Sequence, residues 1–262
     1  MAPMAGNGQR GVVLVAVLWT VLLLAGIAGA LVSLAFTESG IARSAERRAR
    51  ALALAEAGVA HGILMLFERG AAHPWRFDGT PYPVPFGGVT LAVSIQAEAG
   101  KVDLNEAPVA LLEGVLRAAG AEAGRAGVLA AATAKARPHA GAEGLAVLPG
   151  MDAGLLAALE PAVTVHAQAP GIDRFTAPRT ALLALPGATE EAADAWLAER
   201  GERQEQARRQ ALEAGLGVPS LAGQAFTVSA EARLPDGTAA TRRAVVRVAE
   251  DPAQPYWMLG WQ

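Results

Sequence analysis

The chain has 262 residues, 52% of them hydrophobic, with no cysteine and a formal net charge of −3. The absence of cysteine excludes disulfides, thiolate zinc sites and cysteine nucleophiles, and is neutral about compartment, because a domain of this size folds without disulfides. The mild negative charge excludes a global basic field of the kind that draws nucleic acid.

The first element is a stretch of twenty-five uncharged residues, Val12 to Phe36, set directly behind Arg10 and Gly11. A helix of that length reaches about 37 Å, more than the roughly 30 Å of a bilayer's hydrocarbon core, so it is long enough to span a membrane. It is longer than the apolar region of a secretory signal and continues without proline into "TESGIARSAERRARALALAEAGVAHGILMLFERG". There Ile41, Ala45, Leu52, Ala55, Val59, Ile63 and Leu66 recur at three- and four-residue steps and fall on one helical face. The spacing predicts one long helix ending near Arg69, its first part suited to lipid and its second to protein. Arg43, Arg47, Arg48 and Arg50 lie beyond the span against Arg10 before it, so charge alone favours a cytoplasmic C-terminus.

"GAAHPWRFDGTPYPVPFGG" reads as an ordered loop that stops the helix. "GVTLAVSIQAEAG" then alternates strictly, with Val89, Leu91, Val93, Ile95 and Ala97 on one face and Thr90, Ser94, Gln96 and Glu98 on the other, which predicts a half-buried strand. Far downstream Phe226, Val228, Ala230, Ala232 and Leu234 repeat the pattern, and "PDGT" turns the chain into "RRAVVRVAE", a hairpin. The intervening stretch, about Lys101 to Ser220, is alanine- and leucine-rich with many glycine and proline stops, and reads as an all-helical domain of its own. It contains weak repeats. "VDLNEAPVALL" (Val102 to Leu112) recurs as "IDRFTAPRTAL" (Ile172 to Leu182), and "LAVLPGMDAGLLAAL" is echoed by "LLALPGATEEAADAWL". In each Leu-Pro-Gly the proline and glycine shape a tight turn, and Asp152 or Thr189 can cap the helix that follows, giving two helix-hairpin-helix-like units. The fold class is therefore α+β, a long N-terminal helix on a small antiparallel sheet with a large helical domain between its strands.

The junction "QRG" ahead of "VVLVAVLW" resembles the processing signal of type IV pilins and type II secretion pseudopilins. The resemblance implies cleavage by a prepilin peptidase between Gly11 and Val12 on the cytoplasmic side, N-methylation of Val12, and a C-terminal bulk in the periplasm, against the orientation that charge alone favours. Most of these proteins carry glutamate at the fifth mature position, which here is Ala16; Val12 also stands where phenylalanine is usual. The missing glutamate is a peculiarity of the K-type minor pseudopilins (GspK), which also carry "DLNxAxxxLL" and "LPG" elements. Asp103, Leu104, Asn105, Ala107, Leu111 and Leu112 match the first element, whereas Arg174 and Phe175 depart from it in the second copy, so that turn is expected to be built differently. On this resemblance residues 1–11 are a leader, 12–36 the transmembrane helix, 37–100 the amphipathic helix and the first part of a pilin-like domain, 101–220 an inserted helical domain, and 221–262 the C-terminal strands. It implies a subunit at the tip of the pseudopilus in the bacterial inner membrane. The implied partners are I- and J-type minor pseudopilins, the major pseudopilin, the prepilin peptidase and the inner-membrane assembly platform, with secreted cargo left open.

Two other classes compete. Helix-hairpin-helix units in many proteins grip DNA backbone, which would make the chain a membrane-anchored DNA-uptake receptor. Residues 101–220 hold eleven Lys/Arg against fifteen Asp/Glu, net −4, and "GATEEAADAW" sets carboxylates where phosphates would approach, so no nucleic-acid partner is expected. As an enzyme the chain offers only His61, His73, His139 and His166, widely scattered and without metal-ligand spacing or a nucleophile elbow. His61 reads as a packing histidine and the other three as solvated. No cofactor is expected. A structural calcium ion is left open by the resemblance, although Asp78, Asp236 and Asp251 are isolated and read as turn residues. Trp257 and Trp261 read either as a partner contact or as a closure of the sheet edge.

Overall fold

The computed structural model describes residues 8–68, 75–214 and 220–262. It resolves into two compact units, Met1–Ala51 and Leu52–Gln262. In the first unit the helix α1 (Gly8–Phe67) begins. Its side chains from Val13 to Gly29 are all exposed, Leu14 at 71% and Trp19 at 69%. The one hydroxyl in that stretch, Thr20, donates back to the carbonyls of Ala16 and Val17 at 3.0 and 2.8 Å, so it asks nothing of its surroundings.

In the second unit the remainder of α1 packs on a five-stranded antiparallel sheet. Of the predicted apolar face, Ala55, Val59, Ile63 and Leu66 are buried, Leu52 is half-buried, Ala45 is exposed, and Ile41 lies outside the described side chains. By length and composition Arg43–Phe67 could itself cross a membrane, yet 44% of its most apolar window is buried inside the protein, which fits a core helix. Two glycines allow the close approach. A Cβ on Gly62 would stand 2.5 Å from Val228 Cγ1 and 3.0 Å from Val93 Cγ1, and one on Gly58 would stand 2.7 Å from Ala230 Cβ.

The sheet has the order β1-β2-β5-β6-β7, from β1 (Asp78–Phe86), β2 (Val89–Ala97), β5 (Ala225–Arg233), β6 (Ala239–Val248) and β7 (Tyr256–Trp261). The predicted hairpin is present, with Leu234 N–H donating to Thr238 O at 2.8 Å and Gly237 at φ 88°. β1 corrects the reading of its segment as a loop. Pro81, Pro83 and Pro85 oppose Ser94, Ala92 and Thr90, while Tyr82 and Val84 oppose Val93 and Leu91. Prolines at alternate positions of an edge strand need no N–H, because those positions face away from the ladder. They leave that edge without donors, which blunts it against further strand pairing. At the other edge, β7 pairs Gly260 with Val245 and Met258 with Val246, leaving Leu259 as a bulge.

Between β2 and β5 the chain forms a mostly helical segment. A 3-10 turn (Glu98–Gly100) leads to β3 (Val102–Asp103), α2 (Val109–Ala118), α3 (Ala123–Lys135), a 3-10 stretch (Ala142–Val147), α4 (Ala153–Leu159), β4 (Val163–Thr164), α5 (Arg179–Leu183) and α6 (Glu190–Glu213). The all-helical expectation needs this correction: β3 and β4 pair in parallel, Val102 with Val163 and Asp103 with Thr164. Strands of two residues carry no periodicity to read.

Tight contacts in this unit predict its sensitivity. A Cβ on Gly100 would meet the backbone carbonyl of Thr176 at 2.5 Å, where no side chain can yield. Gly100→Ala and Gly62→Leu should each lower stability by about 1–3 kcal/mol, as overpacking does. Thermal unfolding of the detergent-solubilised protein reads this directly; a Gly88→Ala control, whose Cβ would meet no atom within 4 Å, isolates the cost of its left-handed φ of 81°.

Candidate functional site

Three places in the fold carry the residues of interest, two of them singled out by the sequence. Gly11 and Val12 lie within α1, and their side chains are outside the described residues; Ala16 lies exposed in the same helix. The "DLN" element forms the entrance to α2. Asp103 is 1% exposed. Its Oδ1 accepts from the N–H groups of Asn105 and Glu106 at 2.8 and 3.2 Å, and its Oδ2 from Gln168 N–H at 2.8 Å. Asn105 grips the backbone of a loop far along the chain, donating from Nδ2 to His139 O at 3.0 Å and accepting His139 N–H on Oδ1 at 2.7 Å. Arg137 of that loop donates to Leu104 O at 2.7 Å and to Ala107 O. Leu104, Ala107, Leu111 and Leu112 are buried beneath. The element is thus a structural clamp whose polar members satisfy buried backbone groups.

The second copy keeps the local turn, where a differently built one was expected from Arg174 and Phe175, and loses only the grip that Asn105 makes in the first, while Arg200 NH1 donates to Ala177 O at 2.7 Å as Arg137 does to Ala107 O. Asp173 accepts from Phe175 N–H at 3.0 Å and from Thr176 Oγ1 at 2.8 Å. Phe175 stands where the first copy has asparagine; at the position of Leu104, Trp196 Nε1 donates to Arg174 O at 2.9 Å, and the Arg174 guanidinium stacks 4.8 Å from the centre of the indole ring.

Both Leu-Pro-Gly turns form as predicted, with Gly150 at φ 91° and Gly187 at φ 72°. Asp152 caps α4 through Leu155 N–H at 2.8 Å, and Thr189 caps the start of α6 through Ala192 N–H at 3.2 Å. The basic residues beside these turns are already engaged. Arg125 donates to Gly150 O and Asp152, and Arg179 donates to Asp194 at 2.6 Å and Glu190 at 3.2 Å. Hydrogen bonding from Arg125, then from Leu155 N–H, lowers the Asp152 pKa, and Arg179 does the same for Asp194. A phosphate approaching either turn would meet carboxylates that hold the nearest arginines. The protein should therefore show no salt-sensitive binding to duplex DNA at near-physiological salt; micromolar affinity that weakens as salt rises would revive the uptake reading.

The third place was not marked as a site in the sequence. Glu98, assigned by alternation to the outer face of β2, is 2% exposed. Its Oε1 accepts from Lys101 Nζ at 2.6 Å and from Thr227 Oγ1 of β5 at 2.6 Å, and its Oε2 accepts from Thr164 Oγ1 of β4. The helical segment covers this end of the sheet, so a carboxylate that alternation turns outward is sealed in. A buried carboxylate is tolerable only when paired and hydrogen-bonded, and this one has both a cation and two hydroxyls. Asp78 is a turn residue as expected, accepting Thr80 N–H at 3.0 Å, and it is more than that. Its side chain is fully buried and lies 2.9 Å from Arg200 NH2 of α6, with Arg76 Nε at 3.4 Å. Asp236 and Asp251 are turn residues as expected, each accepting an N–H two residues on at 2.9 Å.

Among the described residues the histidines do not converge. The His61 ring lies 5.8 Å from that of Trp75, and His73 is outside the described residues. His139, expected to be solvated, is 9% exposed, with Nε2 2.8 Å from Thr133 O. His166 is half-buried beside Arg247, which donates to its carbonyl at 3.1 Å. Among the described residues no group of three His, Asp or Glu side chains could hold a metal ion. Trp257 and Trp261 lie on β7, 53% and 47% exposed.

Burial lowers the His166 pKa; the Glu98 charge opposes this, and Arg247 and Lys101 add to it. A histidine whose folded pKa is depressed contributes stability above its ordinary value of 6.5, and that contribution is lost as pH falls through the folded value. The melting temperature should therefore fall as the pH is taken from 7.5 to about 5, and His166→Gln should flatten that dependence.

No protein-family model and no curated protein matches the sequence. Among solved structures, the fold matches a chain in the crystal structure of the GspK-GspI-GspJ complex from the enterotoxigenic Escherichia coli type 2 secretion system. The match has a TM-score of 0.53 and 18% sequence identity, and it covers 84% of this chain and 98% of that one. The chain thus has a pseudopilin-like fold, a helix on an antiparallel sheet with additional helices.

Proposed function

We propose that the protein is a K-type minor pseudopilin of a type II secretion system, an assembly subunit and not a catalyst. The observation that carries this reading is the fold shared with a chain of the GspK-GspI-GspJ complex over 98% of that chain's length. The sequence adds three supports: the Gly11–Val12 junction ahead of an apolar helix, Ala16 at the fifth mature position, and the "DLN" clamp with its two Leu-Pro-Gly turns. On this reading a prepilin peptidase cuts after Gly11, Val12 is N-methylated, and the helix anchors the protein once in the inner membrane with its bulk in the periplasm. The helical segment between β2 and β5 is then an insertion in a pilin-like domain, and the partners are the I- and J-type minor pseudopilins, the major pseudopilin and the assembly platform.

Ala16 gives the reading its mechanism. A subunit in a fibre core uses a glutamate to neutralise a neighbour's amino terminus, and an unpaired charge in that low-dielectric setting costs several kcal/mol. A subunit with alanine there has no such pairing to offer, which suits the end of a fibre. The large head suits the same place, because regular stacking leaves it no room along the shaft. From there the subunit can start assembly and meet cargo.

Processing tests the reading first. In cells with a prepilin peptidase the membrane-extracted protein should begin at Val12 by mass spectrometry and carry an N-methyl group, and Gly11→Val should leave the chain uncut. Retention of Met1, or a cut near Ala30, would remove the protein from this class.

A further inference from the structure

Among the described residues, the buried apolar side chains between Val102 and Ala193 form one cluster, and it includes no residue of α1 or of the five-stranded sheet. The helical segment therefore has a core of its own. The sheet has another, in which Leu91, Val93, Ile95, Phe226 and Val228 are at most 1% exposed. Polar contacts cross between the two, among them Arg247 to His166 O at 3.1 Å and Arg243 to Glu160 Oε1 at 2.9 Å. Glu98 is held by Thr227 on the sheet side and by Thr164 and Lys101 on the helical side. Asp78 of β1 pairs with Arg200 of α6. Gln96 Nε2 donates to Thr176 O at 2.7 Å, Asp173 N–H to Ala99 O at 2.7 Å, and Arg247 NH1 to Gln168 Oε1 at 2.7 Å.

Apolar contact is non-directional, whereas hydrogen bonds and ion pairs fix an angle. A polar seam between two apolar cores therefore sets orientation more than it sets stability, and it is the kind of interface at which domains move. We propose that this seam is a conformational joint: the Glu98 cluster and the Asp78–Arg200 pair latch the helical segment in one orientation on the sheet, and breaking both lets it swing while each core stays folded. The proposal is independent of the secretion reading.

A chain without cysteine suits the test, because two introduced thiols are the only labels. Thr90→Cys on the exposed face of β2 and Val147→Cys, where the side chain is 83% exposed, place one spin label on each side. Pulsed electron–electron resonance on the detergent-solubilised full chain then reads the distance between them. The parent should give one narrow distribution. Glu98→Gln with Lys101→Met, and Asp78→Asn with Arg200→Met, remove each latch without leaving a buried charge of full strength unpaired. Each pair should broaden the distribution, and the four together should widen it about twofold or more, with helix content and the hydrogen-exchange protection of both cores retained. A distribution as narrow as the parent's in the folded quadruple variant overturns the proposal. So does joint loss of protection in both cores, which would make the seam part of a single cooperative core.

Discussion

A single buried carboxylate organises the second unit. Glu98 leaves the end of β2 and binds a lysine and two threonines from three other parts of the chain, one on β5, one on β4 and one leading into β3. Taking a carboxylate out of water costs several kcal/mol, so the position is stable only while those partners stay in place. The constraint runs outward from there. Lys101 and Thr164 bracket the short β3–β4 pair, Asp103 at its end holds Gln168, and Asn105 just beyond ties in the loop at His139. One polar thread thus runs from the sheet into the helical segment.

The opposite face of the sheet follows different physics. There α1 lies so close that at Gly58 and Gly62 Val228 and Ala230 of β5 fill the space a Cβ would need. Both sheet edges are blunted, one by alternating prolines and one by a bulge. A sheet with these edges resists indiscriminate strand pairing.

What the sequence showed plainly is what local chemistry specifies. The period of α1 beyond the apolar span, the alternation of β2 and β5, the "PDGT" turn and the capped Leu-Pro-Gly turns depend on neighbours within a few residues. β1 was hidden because three prolines read as loop unless the strand is known to be an edge. β3 and β4 were hidden by their length. Glu98 reads as solvent-facing and Asp78 as no more than a turn residue because the groups that engage them, Thr227 and Arg200, lie 129 and 122 residues away in sequence. The "DLN" residues were recognised through resemblance, but nothing local announces that Asn105 reaches a loop 34 residues on.

The apolar part of α1, its side chains from Val13 to Gly29 all exposed, precedes a unit of pseudopilin-like fold with a large helical segment. On the proposed reading the chain is an assembly subunit, which needs a head that presents surfaces to its neighbours and a place in the fibre. The central claim is that this place is the tip. Gold labelling of an epitope on the exposed part of α6, in pseudopili displayed at the cell surface, tests it most directly. The account predicts label at one end of each fibre, and label repeated along the shaft would contradict it.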